Sequence, residues 1–357
     1  MTEDNTIERS NWVRFPGISP RAYEHPADRG ALATLRTVPG FAAVLKSVAG
    51  FWHERGGRLM VLGSAIRVDE RQFPTLYRLR NECAETLDLD TKPNLFVYRD
   101  AQAHAEVVGI DEPIIMLSSG MVEALDTESL RFVIGHEVGH VLSGHAVYRT
   151  MMRVLLGMQQ SLSWMAIGSI GLRAILLALH EWYRKAELSC DRAGLLCGQD
   201  PAAALRAHVM MAGGTATGEI DVPSFLKQAE EYEAVDDIRD SIHKLRYITW
   251  MTHPLAVVRA AQLQKWAASE EYRAILAGEY PRREDDTPHT TWSEDLKAAA
   301  KSYRDSWSES NDPLVKILSD VGESLGDAAG RVFSRFGGRG SEGGSDEQPR
   351  GNGGANS

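Results

Sequence analysis

Two histidines and a glutamate lie within five consecutive residues of this chain: His136, Glu137 and His140, in the sequence HEVGH. A helix turns about 100° per residue, so positions 136 and 140 lie about 40° apart on one face and one turn apart along the axis. Their imidazole nitrogens can therefore reach one ion, and Glu137 beside them can take a proton from a water on that ion. The pattern predicts a hydrolytic zinc site; two histidines that pack on an amphipathic helix are the alternative.

A catalytic zinc site needs a third protein ligand and an open position for water. His145 lies nine residues after His136. On a continuous helix that spacing ends on the opposite face, so we interpret His145 as a helix-end histidine and not as a ligand. Glu187 is the better candidate, because Glu187 and Asp191 are spaced to share one face of a second helix. We expect Glu187 to bind the metal and Asp191 to accept a hydrogen bond from a ligating histidine. A solvated acidic face is the alternative.

Capping and hydrophobic patterns predict the elements that must position these residues. Asp126 is a favourable N-cap for the helix that carries the HEVGH motif. Three short apolar runs precede it, at 95–98, 105–108 and 114–117, with turn residues between them. Runs of this kind predict a small sheet next to the motif helix.

The longest stretch without a charged residue lies between the motif and Glu187, at 154–172. A membrane helix needs about 20 predominantly apolar residues, and this stretch is interrupted by several glutamines and serines. Because Arg173 follows directly, insertion would be costly, and we interpret 154–179 as a buried helical hairpin. Membrane contact through 154–179, or through the later segment 314–336, is the less favoured alternative.

The composition restricts the class of protein. With 357 residues, 43% hydrophobic and 25% charged, the chain is neither collagenous nor wholly disordered. A net charge of −10 offers no basic field for nucleic acid, which we exclude as a partner. Three cysteines are too few for a disulfide framework, and the first 19 residues have no apolar signal core. We therefore expect a cytoplasmic protein, with membrane association as the alternative.

Changes in composition along the chain predict five regions. These are an irregular N-terminal arm (1–30), a main domain (31–280, with its core at 90–265), a polar linker (281–313), an amphipathic helix (314–336) and a disordered glycine-rich tail (337–357).

Four motifs together resemble the HtpX-like and CAAX-prenyl-protease-type zinc metallopeptidases, a branch of the gluzincins. The resemblance covers about residues 90–265 and follows the order of motifs in that family. The motifs are IIMLSSG at 114–120, GHEVGH at 135–140, Glu187 with Asp191, and Thr252-His253-Pro254 followed by Arg259.

The resemblance implies an α+β, mainly helical gluzincin domain whose small β-sheet packs on the zinc helix. In that family the edge strand of the sheet pairs with an extended substrate, and here it would lie within 103–108. This chain has His104, Ala105 and Glu106 where the family usually shows Asn-Ala before an aromatic residue. The departure concerns how substrate docks and leaves the zinc chemistry unchanged.

The resemblance also implies roles for residues that spacing alone does not assign. One Zn²⁺ per chain would be held by His136, His140 and Glu187. His253 would donate to the developing oxyanion, which is a strong contribution in acyl transfer, whereas a local helix cap is the alternative role. For Arg259 we expect an ion pair with a carboxylate, with Asp191 as the candidate.

The predicted activity is zinc-dependent endoproteolysis of protein or peptide substrates, with protein quality control as a candidate setting and Glu137 as the general base. A catalytically silent scaffold that acts through its C-terminal helix and tail is the alternative of another class. A complete set of ligands and base argues against it. A third hypothesis is a latent protease in which the segment 314–336 lies across the active-site cleft or on a membrane. The sequence does not predict the oligomeric state.

Overall fold

The computed structural model describes residues 12–26, 28–29, 32, 54–161, 168–214, 219–233 and 255–286. Several sequence predictions fall outside these residues and stay predictions. They concern His253, the linker beyond residue 286, the amphipathic helix at 314–336 and the tail at 337–357.

The described residues form a mainly helical protein with one small sheet, which confirms the α+β class. The helices are α1 Glu54–Ser64, α2 Pro74–Thr86, α3 Ser119–Ala124, α4 Thr127–Leu142, α5 His145–Ser161, α6 Gly168–Gly198, α7 Pro201–Gly213, α8 Val222–Glu233, α9 Ala256–Ala267 and α10 Glu270–Leu276. The strands are β1 Ile66–Arg67, β2 Asn94–Tyr98, β3 Ala105–Val108 and β4 Ile114–Ser118. Two short 3-10 helices span Pro20–Ala22 and Arg283–Asp285.

The four strands lie in the order β1-β2-β4-β3, so that β3 forms one edge of the sheet. Strands β2 and β4 are parallel, whereas β1 and β3 pair antiparallel with their neighbours. Alternate side chains point to opposite faces of a strand. Leu95, Val97 and Ile115 therefore join the main core, while Phe96 and Met116 form a second cluster on the other face, under α1.

Helix α4 begins and ends at recognisable signals. The carboxylate of Asp126 accepts a hydrogen bond from the backbone N–H of Ser129, which caps the first turn. The helix ends at Leu142, and Gly144 follows with a φ of 69°, a conformation that glycine adopts without strain. The chain then starts α5 at His145 in a new direction, so the HEVGH helix is not continuous with α5.

Two glycines allow α4 and α6 to approach closely. A Cβ added at Gly135 would lie 2.4 Å from the Cβ of Cys197, and one added at Gly139 would lie 2.5 Å from the Cβ of Ala193. Both separations are far shorter than carbon atoms tolerate. The absence of side chains at these two positions is therefore what brings α6 against the motif helix.

The N-terminal segment packs on the domain within the described residues. Phe15, Ile18 and Tyr23 are fully buried in the main core. Ile18 also forms an isolated antiparallel bridge with Arg282. The described part of the arm therefore packs into the domain, although it has little regular secondary structure. The bridge also joins the arm to the start of the polar linker.

The apolar segment 154–179 corresponds to the end of α5 and the beginning of α6, with 162–167 outside the described residues. These two helices contact each other. Among the helices that the structure describes, none combines the length and the apolar character that crossing a bilayer requires.

The close contact between α4 and α6 can be tested with alanine substitutions. We expect Gly139→Ala to lower the free energy of unfolding by about 1–3 kcal/mol, because the new methyl group overpacks a filled interface. Urea denaturation of the metal-free protein, monitored by circular dichroism, measures the change.

Gly198→Ala is the matched control, since a Cβ there meets no described atom within 4 Å. Its stability should be unchanged or raised by up to about 1 kcal/mol through helix propensity. Equal effects of the two substitutions would contradict the assignment of Gly139 to a tight helix contact.

Candidate metal centre

Three ligand atoms from α4 and α6 converge on one point. The Nε2 atoms of His136 and His140 lie 3.1 Å apart, and the Oε1 and Oε2 atoms of Glu187 lie 3.2 Å from His140 Nε2 and 3.5 Å from His136 Nε2, respectively. Ligand atoms bound about 2.0–2.2 Å from one tetrahedral ion lie roughly 3.3–3.6 Å apart. The observed separations of 3.1, 3.2 and 3.5 Å lie within or slightly below this range, so one ion can contact all three residues.

The polar atoms at this point fit a cation. Each of the three residues is at least 95% buried, and neither carboxylate oxygen of Glu187 has a hydrogen-bond partner among the described residues. Arg259 Nη1 lies 2.8 Å from Glu187 Oε2 as an ion pair. Arg259 balances part of the charge of this buried carboxylate, and a metal ion bound between Glu187 and the two histidines would balance the rest. Two imidazoles and a carboxylate are a ligand set that suits Zn²⁺.

Asp191 orients the first histidine. Its Oδ1 atom lies 3.0 Å from His136 Nδ1, so in the neutral ring this nitrogen carries the proton and Nε2 has the lone pair that a metal needs. Arg259 donates two hydrogen bonds to the same carboxylate, at 2.8 Å and 2.6 Å. His208, on α7, lies 3.4 Å away through its Nε2, while its Nδ1 lies 2.9 Å from the Ala204 carbonyl. Asp191, on α6, thus contacts side chains from three other helices, α4, α7 and α9.

The charges of this cluster balance one another inside the protein. Burial by itself raises the pKa of a carboxyl group, but Arg259 and the histidines hold the pKa of Glu187 and of Asp191 well below their usual values. Burial lowers the pKa of a histidine, and at His136 the two carboxylates outweigh it and raise the pKa. At His140 burial prevails and the pKa lies well below normal. The ring of His140 is therefore neutral, the form that binds a metal.

Glu137 lies next to the ligands and is 2% exposed. Burial raises its pKa, against the opposing effects of His136 and Arg149. Its Oε2 atom has no hydrogen-bond partner among the described residues, and Arg149 Nη1 lies 3.8 Å from it. Arg149 also lies over the ring of Tyr183, which stacks on His140. A carboxylate in this position can accept and release a proton.

The edge strand lies close to this carboxylate. Ala105 and Glu106 are buried in β3, and His104 directly precedes it. Glu106 pairs with Arg153 and lies 3.7 Å from both Arg149 and His104. Burial favours the neutral acid, but His104 and the two arginines lower the pKa of Glu106 to about 2. Through Arg149, the edge strand and Glu137 share one buried ion-pair network.

The structure places His145 beside His140, on its far side from the metal point. The two Nδ1 atoms lie 3.2 Å apart. The assumption of one continuous helix was wrong, because the chain turns at Gly144, whereas the interpretation of His145 as a helix-end histidine that is not a ligand stays a prediction. His140, His145 and Cys190 form a second group able to hold an ion, whose ligand atoms lie within 4.8 Å of one another. We favour the group with Glu187, whose carboxylate oxygens accept no hydrogen bond among the described residues.

Three residues at the centre were not identified from sequence. Arg149 and Tyr183 belong to no motif that we recognised. His208 lies 17 residues after its partner Asp191, on a different helix, so helical spacing does not relate the two. Helical spacing could indicate that Glu187 and Asp191 lie together, because they are one turn apart on one helix. It could not indicate contacts with these three residues. The predicted oxyanion donor His253 lies outside the described residues, so its role stays a prediction.

Comparisons with known proteins agree on one family. The sequence model of peptidase family M48 matches residues 70–267. The chain is 30% identical over 273 residues to the plastoglobule-localized metallopeptidase 48 of Arabidopsis thaliana, which covers 73% of this chain and 77% of that protein. It is 25% identical over 117 residues to a protease HtpX homolog of Lactobacillus helveticus, covering 32% and 39% of the two chains.

No solved structure shows a significant match to this chain. The family assignment therefore comes from sequence, and the convergence of His136, His140 and Glu187 comes from the structure itself. The matched region contains these three residues and Glu137, and it exceeds half of the chain. This chain belongs to peptidase family M48 and is a metallopeptidase.

Proposed function

We propose that this chain is a zinc-dependent metalloendopeptidase of the gluzincin type, which cleaves peptide bonds within protein or peptide substrates. The observation that carries the proposal is the convergence of two imidazole nitrogens and one carboxylate on a buried point, with Glu137 adjacent. One Zn²⁺ per chain would be held by His136, His140 and Glu187. When bound, the ion supplies a Lewis acid for the scissile carbonyl and lowers the pKa of a water.

Glu137 is the proton carrier in this proposal. Its carboxylate takes a proton from the attacking water and then delivers it to the nitrogen of the leaving amine. A raised pKa suits this role, since the acid that forms is stable long enough to pass the proton on. Arg149 limits the shift and holds the side chain in place.

We assign substrate binding to β3, which is an edge strand of the sheet that the described residues form. An extended peptide can add to such an edge through main-chain hydrogen bonds. His104, Ala105 and Glu106 would then flank the scissile bond, next to Glu137 through Arg149. His253 would donate to the oxyanion of the tetrahedral intermediate. Asp191 and Arg259 keep His136 in position.

The names of two relatives and the state of the cysteines bear on the cellular setting. One relative is named a protease HtpX homolog and another is named for plastoglobules, and we propose protein quality control as the role of this chain. All three cysteines are buried and free, which supports a reducing compartment such as the cytoplasm.

The assignment of Glu137 as base predicts a separation of activity from metal binding. We expect Glu137→Gln to lower kcat/KM on casein or an unfolded protein by about 10²–10⁴-fold, because the amide cannot accept a proton. The zinc content, measured by elemental analysis, should stay at the wild-type level.

Glu123→Gln, at an exposed position on α3, is the matched control and should keep full activity. Wild-type activity in the Glu137→Gln variant would exclude Glu137 as the base. Cleavage by the wild-type protein that persists after chelation would exclude a metal-dependent reaction altogether.

The choice between the two candidate ligand sets gives a second test. We expect Glu187→Ala to lose most of its zinc on dialysis against a weak chelator, because one of three protein ligands is gone. Cys190→Ala should keep its zinc, since the thiol belongs only to the other set. Elemental analysis of both variants measures this. The reverse result, zinc lost without Cys190 and kept without Glu187, would overturn the ligand assignment.

A further inference from the structure

A chain of buried polar groups runs from His140 away from the metal point. His140 Nδ1 lies 3.2 Å from His145 Nδ1, and His145 Nε2 lies 3.7 Å from Asp28 Oδ2. The hydroxyl of Ser189 donates a 2.6 Å hydrogen bond to the same oxygen of Asp28. All four side chains are buried. Neither His145 nor Asp28 has a role in the proposed hydrolysis.

If His140 binds a metal through Nε2, its Nδ1 atom carries a proton and needs a hydrogen-bond acceptor. Its Nε2 atom faces His136 and Glu187, so this nitrogen must carry a lone pair to bind a metal. The ring proton of neutral His140 then lies on Nδ1. A buried N–H donor without an acceptor is costly. Among the described residues, the nitrogen that can accept this proton is His145 Nδ1.

The ring of His145 is itself held in one orientation. When its Nδ1 accepts from His140, the proton of His145 lies on Nε2 and points toward the carboxylate of Asp28. Trp182 contacts the ring edge-on with centroids 5.3 Å apart, and the Sγ of Cys190 lies 3.5 Å from Nδ1. A neutral imidazole has one donor and one acceptor nitrogen. The acceptor nitrogen of His145 thus faces the N–H of His140, and its donor nitrogen faces the carboxyl group of Asp28.

We propose that His145 is a positioning residue that holds the metal ligand His140 in its binding tautomer and orientation, and that Asp28 of the N-terminal segment anchors His145. The inference rests on the proposed zinc site. It gives His140 the same kind of support that Asp191 gives His136. It also makes the N-terminal segment part of the metal centre, although Asp28 precedes the family-matched region 70–267.

The two ligating histidines are then supported in different ways. His136 donates to a charged carboxylate that two further basic groups hold. His140 donates to a neutral imidazole, which is a weaker acceptor than a carboxylate. Loss of the acceptor should therefore weaken metal binding without removing a ligand. Partners of this kind typically affect metal affinity by about 10–100-fold when they are removed.

The test compares His145→Leu with His145→Asn in the full-length protein. Leucine removes the acceptor at similar volume, whereas the amide oxygen of asparagine can accept where Nδ1 did. We expect Zn²⁺ affinity, measured by competition with a chromophoric chelator, to fall about 10–100-fold for leucine and to recover most of this loss for asparagine. The visible spectrum of the Co²⁺-loaded protein should change for leucine and return toward wild type for asparagine.

Tyr23→Phe is the matched control, because it removes a buried hydrogen bond from the same N-terminal segment, to Ser143, without touching His140 or His145. Its Zn²⁺ affinity and Co²⁺ spectrum should equal those of the wild-type protein. Wild-type affinity and spectrum in a folded His145→Leu variant would overturn the proposal, and so would equal losses for leucine and asparagine.

Asp28→Asn keeps the proposal testable if His145→Leu does not fold. The amide keeps the size of the side chain but replaces one carboxyl oxygen by an NH₂ donor, which weakens the acceptor that faces His145 Nε2, and we expect about two- to tenfold weaker Zn²⁺ binding. Unchanged binding in this variant would overturn the anchoring role of Asp28. A wild-type protein that binds no Zn²⁺ would overturn this proposal together with the proposed function. One that binds Zn²⁺ but cleaves no substrate overturns only the proposed function, and the affinity comparison still decides on His145.

Discussion

The metal centre depends on how closely two helices can pack. Gly135 and Gly139 lie on the face of α4 that meets α6, where Cys197 and Ala193 leave no room for a Cβ. This short separation brings the side chain of Glu187 within 3.5 Å of the two histidines. The small residues of the motif region therefore have a structural purpose that the chemistry alone does not reveal. A wider crossing would leave the histidines without their third ligand.

The close packing creates an electrostatic problem that the surrounding helices solve. Glu187 and Asp191 are two carboxylates one turn apart, both at least 98% buried, and such charges need partners. Arg259 on α9 meets both carboxylates, and His208 on α7 faces Asp191. On the other side, Arg149 lies between Glu137 and Glu106. Each acid thus has a cation nearby, while the oxygens of Glu187 keep no hydrogen bond among the described residues.

Local sequence patterns predicted the motif helix and its cap at Asp126, because cap chemistry and helical spacing act within a few residues. They also predicted three of the four strands of the small sheet. The assumption that His145 continues the motif helix was wrong, since Gly144 adopts a left-handed conformation that redirects the chain. Nor did the pattern show that Phe15 and Tyr23 of the irregular arm lie in the main core.

The sequence by itself determined which residues can do chemistry. Two histidines and a glutamate on one helix face, and two acids one turn apart on another, follow from residue type and the helical repeat. Only the tertiary structure decided that these faces meet, that Arg259 and Arg149 supply balancing charges, that His208 faces Asp191, and that Asp28 lies behind His145. The physical reason is distance along the chain. Periodicity relates residues within one element, whereas contacts between elements depend on how their surfaces fit, and no local pattern records that fit.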